Sequence, residues 1–464
     1  MTSRRTELLI GLDRDGPLTL RGQIEQQLRD AIRLGSLKPG LALPSSRELA
    51  RQLDVSRPLI SEAYEQLAAE GFITVRQGAV PVVAPMAATA PPQAQTAAPA
   101  ATPTLRYDFR IGTPDLTSFP KAQWLKATGK ALAAMEPADF GYAGRHGVPV
   151  LRHALADYLG RVRGIVTSPD QIVITGGFEQ ARSLVAKALR RADITRIAVE
   201  DPGYTNLTPL SAVGLNLVRI PVDDAGVDVA QVVEQRVEAA LLTPTHQYPT
   251  GAQLSGERRH QLLGWLRQCG GFAVEDDYDA EFRYDRKPVA ALQGLDPDTV
   301  VYAGTASKTL APGLRLGWLV LPPRLLGFVH EEQRLQDYGI SRIEQHALAV
   351  LITSGDYDRH LRRMRLIYRK RRQALITALA EFAPQAVVAG ISAGLHASII
   401  LPARYDEAEL AAVAARRGLA FTYMSRHTLG GDVGPTTLLV GYSKVSEASI
   451  HAGIRTLAAV LSTL

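Results

Sequence analysis

The chain has 464 residues, which at roughly 150 residues per domain predicts two or three folded units. Apolar residues make up 46% and charged residues 21% with a net charge of +6, so a wholly disordered chain is excluded and nucleic-acid contact is permitted without being required. No apolar run approaches the ~18 residues of a membrane span, and the start MTSRRTELLIGLDRDG carries charges where a secretory segment needs apolar residues, so a cytoplasmic protein without membrane attachment is expected.

Near the N-terminus, Leu20, Ile24, Leu28 and Ile32 recur every four residues and give one apolar helix face, stopped by Gly35 and Lys38-Pro39-Gly40. Ser45-Ser46-Arg47-Glu48 reads as a capping box that starts a second helix, the Ser45 hydroxyl accepting from the Glu48 amide and the Glu48 carboxylate from the Ser45 amide. After Asp54-Val55, Ser56 is expected to cap a third helix, with Pro58 tolerated in its first turn and Ile60, Ala63, Tyr64 and Leu67 as its buried stripe. Gly71 ends that helix, and FITV, the turn Arg76-Gln77-Gly78 and VPVV predict a two-stranded wing. Two short helices, a tight turn and a third helix opening on Ser56 and Arg57 fit docking into a major groove. The same pattern also fits a small helical protein-interaction module.

LKPGLALPSSRELARQLDVSRPLISEAYEQLAAEGFITVRQG resembles the DNA-binding domain of the GntR family in its PG-x-x-LPS-x-R-x-LA core, its VSR turn and its A-Y-x-x-L-x-x-x-G tail. The likeness spans roughly residues 18–83. It implies that Ser45 and Arg47 anchor phosphates, that Ser56, Arg57 and Pro58 enter the groove, and that Gly78 lets the wing approach the DNA backbone. Gly78-Ala79-Val80-Pro81-Val82-Val83 stands where the family usually has G-S-G-T-F-V. Residues 1–83 hold eleven Lys/Arg against ten Asp/Glu, so affinity is expected to rest on dimerisation and a few placed side chains rather than on bulk charge.

Residues 84–104, APMAATAPPQAQTAAPAATPT, have no charge and no aromatic and read as a Pro/Ala linker able to span ~65 Å when extended. The expected domains are therefore a winged helix-turn-helix over 1–83, the linker over 84–104, and a larger unit over 105–464. In the larger unit, apolar runs at 171–175, 196–200, 240–243, 272–276 and 299–303 alternate with helical patterns, which predicts an α/β fold with a mainly parallel sheet. From Tyr357 a long basic helix and a smaller α+β region follow. The run HLRRMRLIYRKRRQ reads as a solvated helix face, with Leu361, Met364, Ile367 and Tyr368 packing at helical spacing. The one cysteine, Cys269, excludes an intramolecular disulfide and a cysteine-based zinc cluster and is expected as a small core residue. The histidines show no metal-ligand spacing, so no metal is expected.

The segment TVVYAGTASKTLAPGLRLG leads from a strand through two hydroxyl residues to Lys308 and on to Gly-x-Arg-x-Gly, and resembles the Schiff-base segment of fold-type I aminotransferases. The resemblance implies pyridoxal 5'-phosphate attached to Lys308, with Thr305, Ser307 and Arg315 binding its phosphate, Arg315 through a charge-assisted contact. In FAVEDDY, Asp276 and Tyr278 lie two apart and leave the strand end on one face. By resemblance Asp276 keeps the pyridine nitrogen protonated and Tyr278 hydrogen-bonds the ring 3-oxygen, while Glu275 and Asp277 face the other way as supporting or surface groups. TGGFEQA ends a strand and opens a helix whose free amides, from Gly177 and Phe178, suit a phosphate. Tyr204, in EDPGY, is expected to stack on the ring. PTHQYPTG resembles the family's N-P-x-G turn with Tyr248 in place of the Asn, and Tyr142, in GYAGRHG, matches a tyrosine that reaches the phosphate of a neighbouring subunit.

A GntR-like domain, a linker and an aminotransferase-like domain in this order resemble the MocR/GabR class of bacterial transcription regulators. The class implies operator DNA, a homodimer with domain-swapped, head-to-tail subunits, and a small-molecule effector. An amino-acid aminotransferase with an appended DNA-binding domain uses the same cofactor residues, and a regulator with a cofactor-free dimerisation domain is a third reading, disfavoured by Lys308, Asp276, Tyr278, Tyr204 and Arg315 together. In aminotransferases and GABA-responsive members of the class, an arginine in the final strand binds the substrate carboxylate; Leu439 stands at that place and Asn206 at a second such arginine. A buried carboxylate without a cation is costly. Weak or residual transamination is therefore expected, with pyridoxal phosphate itself or an amine lacking that carboxylate as effector, and Arg145, Arg426 and Lys444 as the possible replacements.

Overall fold

The computed structural model describes residues 8–76, 78–85, 105–142, 144–284, 289–336, 339–390, 393–430 and 434–464. The chain divides into two compact units, Met1–Thr102 and Pro103–Leu464. Most of the segment expected as a linker, residues 86–104, lies outside the described residues. At its start Ala84 is still buried in the first unit, its amide donating to the Phe72 carbonyl at 2.9 Å.

In the first unit, α1 (Leu20–Arg33) buries Ile24, Leu28 and Ile32 as its spacing requires. Helix α2 (Ser46–Leu53) starts under the Ser45 hydroxyl, which accepts from the Glu48 amide at 3.2 Å. Only this half of the expected box forms, because the Glu48 carboxylate takes the Arg51 guanidinium at 2.6 Å instead. Helix α3 (Arg57–Ala69) has Ser56 at its N-cap position without the expected side-chain bond, and buries Ile60, Ala63, Tyr64 and Leu67. Tyr64 donates to the Pro44 carbonyl at 2.9 Å, tying α3 to the residue that precedes the α2 cap.

The wing is shorter than FITV and VPVV suggest. Strands β1 (Ile73–Thr74) and β2 (Val82–Val83) pair antiparallel over two residues each. Pro81 has no N–H for a ladder, and its carbonyl accepts from Leu43 at 2.8 Å instead. Two glutamines on α1 hold the segment that precedes it: Gln27 exchanges both amide bonds with Gly11, and Gln23 bonds Asp13 and Leu18.

The second unit is an α/β fold with a smaller α+β subdomain. Its entry strand β3 (Tyr107–Asp108) is followed by α4 (Lys121–Ala134) and α5 (Pro149–Arg163). The large sheet then takes β4 (Ile172–Thr175), α6 (Phe178–Arg191), β5 (Arg196–Asp201), α7 (Thr208–Ser211), β6 (Asn216–Asp223), β7 (Gly226–Val227), α8 (Val229–Glu234), β8 (Ala239–Leu242), α9 (Gly256–Cys269), β9 (Phe272–Asp277), β10 (Val300–Thr305) and β11 (Gly317–Val320). The strand order is β4-β11-β10-β9-β8-β5-β6-β7, parallel except for the reversed β11 and the terminal β7. Both faces are apolar, as a helix-covered sheet demands: Val173, Val274 and Val301 pack with Ala181, Leu184 and Val185 of α6, and Ala240, Leu242 and Ala273 with Leu262 and Leu266 of α9.

Helices α10 (Pro323–Gln336), α11 (Arg342–Thr353) and the 27-residue α12 (Asp356–Phe382) lead to the subdomain. There β12 (Val387–Ala389), β13 (His396–Ile400), β16 (Thr437–Gly441) and β15 (Thr422–Tyr423) form an antiparallel sheet in that order, with α13 (Glu407–Arg416) and α14 (Glu447–Leu461). Strand β14 (Leu419–Ala420) pairs in parallel with β3, so the first residues of the unit belong to the subdomain. Helix α12 buries Leu361, Met364 and Tyr368. Its basic residues are less solvated than expected: Arg363 donates to the Ser118 carbonyl at 2.9 Å, Arg365 reaches the Glu281 carbonyl, and Arg371 pairs with Asp115 at 2.8 Å. Cys269 is exposed, contrary to expectation, because it is the last residue of α9 and the chain turns away at Gly270. Among the described residues no helix is long and apolar enough to cross a membrane.

Because the Ser45 hydroxyl alone caps α2, Ser45→Ala is expected to destabilise that helix by about 1 kcal/mol. Hydrogen exchange should then quicken at the amides of residues 46–53 relative to α1; unchanged protection would deprive the cap of energetic weight.

Candidate functional site

Strand β9 is buried along its whole length, and its end delivers Asp276 and Tyr278 to the centre of the sheet's C-terminal edge. The Tyr204 hydroxyl, from the loop after β5, donates to the Asp276 carboxylate at 2.7 Å. Burial, reinforced by the nearby Asp277 and Asp279, pushes the Asp276 carboxyl up to about 7 against the pull of Tyr204 and Lys308. Lys308 follows β10, and its Nζ donates to the Gly112 carbonyl at 2.6 Å. Burial lowers its proton affinity, and Asp276 and Asp279 oppose that.

Register fixes the other side of the site. Gly317 of β11 lies between Thr175 of β4 and Thr305 of β10, which sets the TGGF turn beside the turn that carries Lys308. Gly177 caps α6 at φ +100°, without a side-chain capping bond. A Cβ there would stand 3.4 Å from the Arg315 guanidinium, an ordinary contact, so it is the φ that calls for glycine, and the guanidinium lies against this helix start. Thr305 and Ser307 face each other at 3.0 Å between their hydroxyls. The start of α6, an arginine and two hydroxyls thus lie together, donors that could hold a phosphate. Phe178 lies 5.7 Å from Tyr204, ring to ring.

The expected residues Lys308, Asp276, Tyr278, Tyr204, Gly177, Phe178, Thr305, Ser307 and Arg315 thus gather on adjoining strand ends. Tyr142 does not join them within the chain. It is 90% exposed, on the rim of a recess of about 510 Å³ lined also by Arg145, His146, His330 and Arg334. Glu275 and Asp277 are not surface groups: Glu275 accepts from the Leu292 and Gln293 amides at 2.9 and 3.0 Å, and Asp277 accepts from Arg163 at 2.7 Å and Tyr302 at 2.8 Å.

Several ring residues around Tyr248 were not anticipated from the sequence. Tyr248 stacks on Tyr204 at 4.9 Å and has His427 at 5.1 Å, Tyr278 at 5.8 Å and His396 at 6.0 Å. His246 bonds both Tyr278 and Asp279. The PTHQYPTG turn held the signal for His246, whereas His396 and His427 reach the site only through the subdomain sheet and the loop after it. His396 is held neutral, its proton affinity pushed down to about 4 chiefly by burial.

Leu439 is fully buried on β16, opposite Ser398 and Thr422. Asn206 is exposed. Of the three basic residues considered as substitutes, Lys444 is committed to Asp108 at 2.8 Å, Arg145 lines the Tyr142 recess, and Arg426 is exposed.

In the first unit, Arg47, Ser56, Arg57 and Pro58 are exposed, the last three at the start of α3, and Gly78 is exposed at φ +78° in the wing turn. Ser45 is engaged with its cap. Arg47 and Arg57 make no ion pair or hydrogen bond among the described residues, which leaves both guanidinium groups available to a polyanion.

A helix-turn-helix unit followed by a fold-type I aminotransferase-like unit defines the class. Residues 20–82 match the family described as bacterial regulatory proteins, gntR family, and residues 108–444 match aminotransferase class I and II. The chain belongs to the MocR-type HTH transcriptional regulators with an aminotransferase-like domain. It is 33% identical to an uncharacterised HTH-type transcriptional regulator, YdeL, of Bacillus subtilis over 97% of this chain and 98% of that protein. It is 31% identical to the pyridoxine biosynthesis transcriptional regulator PdxR of Corynebacterium glutamicum, over 96% of each. Among solved structures, kynurenine aminotransferase of Pyrococcus horikoshii is similar with a TM-score of 0.69 and 26% identity, over 78% of this chain and 91% of that one.

The raised Asp276 carboxyl has a defined pH signature. The folded, cofactor-free protein holds this proton to about 7, against an ordinary value of 3.8, so its contribution to stability is full below about 4 and is lost as pH rises through 7. Asp276→Asn, which still accepts from Tyr204, is expected to gain stability relative to the parent between pH 4 and 7 and to hold a level advantage above. Paired melting curves across that range check the sign; a constant difference would place the carboxyl at its ordinary value.

Proposed function

We propose that the chain is a pyridoxal-phosphate-dependent, operator-binding regulator of the cytoplasm, working as a homodimer with domain-swapped, head-to-tail subunits. The observation that carries the cofactor reading is the convergence of Lys308, Asp276, Tyr278 and Tyr204 with the phosphate cradle at Gly177 and Arg315. The fit is supported by the Arg315 guanidinium lying against the helix start at Gly177 and by the buried Asp276 carboxyl, which a cationic ring nitrogen would answer.

In this reading Lys308 carries the cofactor covalently. Asp276 keeps a proton at the pyridine nitrogen, Tyr278 donates to the 3-oxygen, and Tyr204 covers one face of the ring. Thr305, Ser307, Arg315 and the amides of Gly177 and Phe178 hold the phosphate. Tyr142, exposed at its recess, reaches across to the neighbouring subunit's phosphate. When bound, pyridoxal phosphate supplies an electron sink conjugated to a captured amine. Ser45 and Arg47 hold DNA phosphates, Ser56, Arg57 and Pro58 meet the groove, and Gly78 allows the wing close to the backbone.

The effector is either pyridoxal phosphate itself or an amine without the usual carboxylate. Leucine at 439 offers neither charge nor hydrogen bond, Lys444 is already paired, and the neighbouring His396 is neutral. The Corynebacterium relative is a regulator of pyridoxine biosynthesis, which supports the first alternative. An aminotransferase with an appended DNA-binding unit is the second reading, favoured by the complete ring-binding set; the missing carboxylate partners leave it with residual activity.

Borohydride treatment of the purified protein should fix the cofactor on Lys308, and Lys308→Ala should abolish the label. Native mass unchanged by borohydride in the parent protein would sink the cofactor reading, and rapid conversion to pyridoxamine phosphate by a common amino acid would sink the effector reading. On DNA selected by the parent protein, Arg57→Ala should weaken binding by ~1 to 3 kcal/mol if it contacts a base in bidentate fashion. An unchanged footprint removes Arg57 from the readout, and failure to select any sequence favours the enzyme.

A further inference from the structure

His246 Nδ1 has three oxygens around it: both carboxylate oxygens of Asp279 at 3.1 Å and the Tyr278 hydroxyl at 3.0 Å. All three residues are buried, His246 at 3%, Asp279 at 1% and Tyr278 at 7% exposure. Room for the pair is made by Gly394 at φ +81°, where a Cβ would stand 2.1 Å from the His246 ring and 2.6 Å from the Asp279 carboxylate. Substitution of that glycine therefore collides with both members. A buried carboxylate partnered mainly by one imidazole is expensive, and the cofactor chemistry assigned above does not use either group.

The hydrogen positions follow from elementary electrostatics. A bare Nδ1 lone pair facing a carboxylate at 3.1 Å is repulsive, whereas an Nδ1 proton is attracted to it. That N–H then donates to Asp279 and also to the Tyr278 oxygen, so the phenol acts as an acceptor toward His246. Its own hydrogen is left over, and burial denies it water. The ionisable and polar groups that face Tyr278 are Asp276, Asp279, Tyr204 and Tyr248, and His246 also faces His396 at 5.5 Å. Asp276 is already engaged by Tyr204.

We propose that His246 and Asp279 are positioning residues for Tyr278: they fix its phenol as an acceptor on the dyad side and so commit its hydrogen to the 3-oxygen of the cofactor. The proposal rests on the pyridoxal-phosphate reading. A hydrogen bond donated to the 3-oxygen stabilises the negative oxygen most when the adjoining lysine-cofactor nitrogen is unprotonated. The dyad therefore lowers the pH at which that nitrogen takes up its proton. A through-space effect of the Asp279 charge acts in the opposite sense, because a nearby anion favours protonation.

The test is an absorbance titration of the holoprotein against pH, in which the protonated and unprotonated lysine-cofactor forms absorb at different wavelengths. His246→Leu is expected to raise the midpoint by about one pH unit, the worth of one net hydrogen bond. Tyr278→Phe should raise it similarly, and the double variant no further than Tyr278→Phe alone. His246→Asn, whose amide nitrogen takes the place of Nδ1, should stay near the parent value. An unchanged midpoint in His246→Leu, or an added shift in the Tyr278→Phe background, overturns the proposal. A parent protein that carries no borohydride-fixable cofactor overturns the cofactor reading instead, so the two failures are distinguishable.

Discussion

Five carboxylates fall between residues 275 and 281, on a strand end sealed from water. The large sheet holds four of them because each has its own partner. Asp277 takes Arg163 and Tyr302, Glu275 takes two backbone amides, Asp276 takes Tyr204, and Asp279 takes His246. Glu281, without such a set of donors, has its carboxyl pushed up to about 7 by burial and by Asp277. The Arg163–Asp277 pair is the most demanding, with both side chains 3% exposed. Removing one member of such a pair leaves an uncompensated buried charge, which is far worse than never having buried the pair. Helix α5, which supplies Arg163, is thereby bound to the strand that presents Asp276 and Tyr278, and the site inherits its rigidity from a charge balance behind it.

Separate satisfaction of the acids also explains why neighbouring residues of one strand serve different ends. The period-two alternation of a strand sends Asp276 toward the lysine side and Glu275 and Asp277 toward the opposite side. The alternation was legible in FAVEDDY. The burial of the opposite side was not, since Arg163 comes more than a hundred residues earlier and no local pattern announces it. The same distinction runs through the whole chain. Helix spacing identified α1 and α3 because a single face decides their packing, and the TGGF and SKTLAPGLRLG segments were readable because phosphate-binding turns are local. Glu48 misled because capping depends on which competing partner is nearer, and Arg51 was nearer. His396 and His427 were invisible because only the subdomain sheet and its following loop carry them to Tyr248.

The proposal of weak transamination rests on the face that includes Leu439 more than on any feature of the ring site. Strand β16 alternates Leu438 and Val440 into the apolar core of the subdomain and turns Leu439 to the other side, beside Ser398. A cation at 439 would need a carboxylate to answer it. A leucine there makes the surroundings selective by omission, since an incoming carboxylate loses its water without gaining a charge partner.

The entry strand β3 is short, but its place is consequential. Arg106 and Tyr107 donate to Gly418, Phe109 donates to Ala420, and Gly441 donates to Phe109, while the Phe109 ring lies flat on Phe421 at 5.5 Å. Residue 105, the first described residue of the second unit, is thus moored to the subdomain rather than to the large sheet. Gly112, which holds the Lys308 amine, lies only four residues beyond β3, so the subdomain and the lysine that follows β10 are joined through one short stretch of chain.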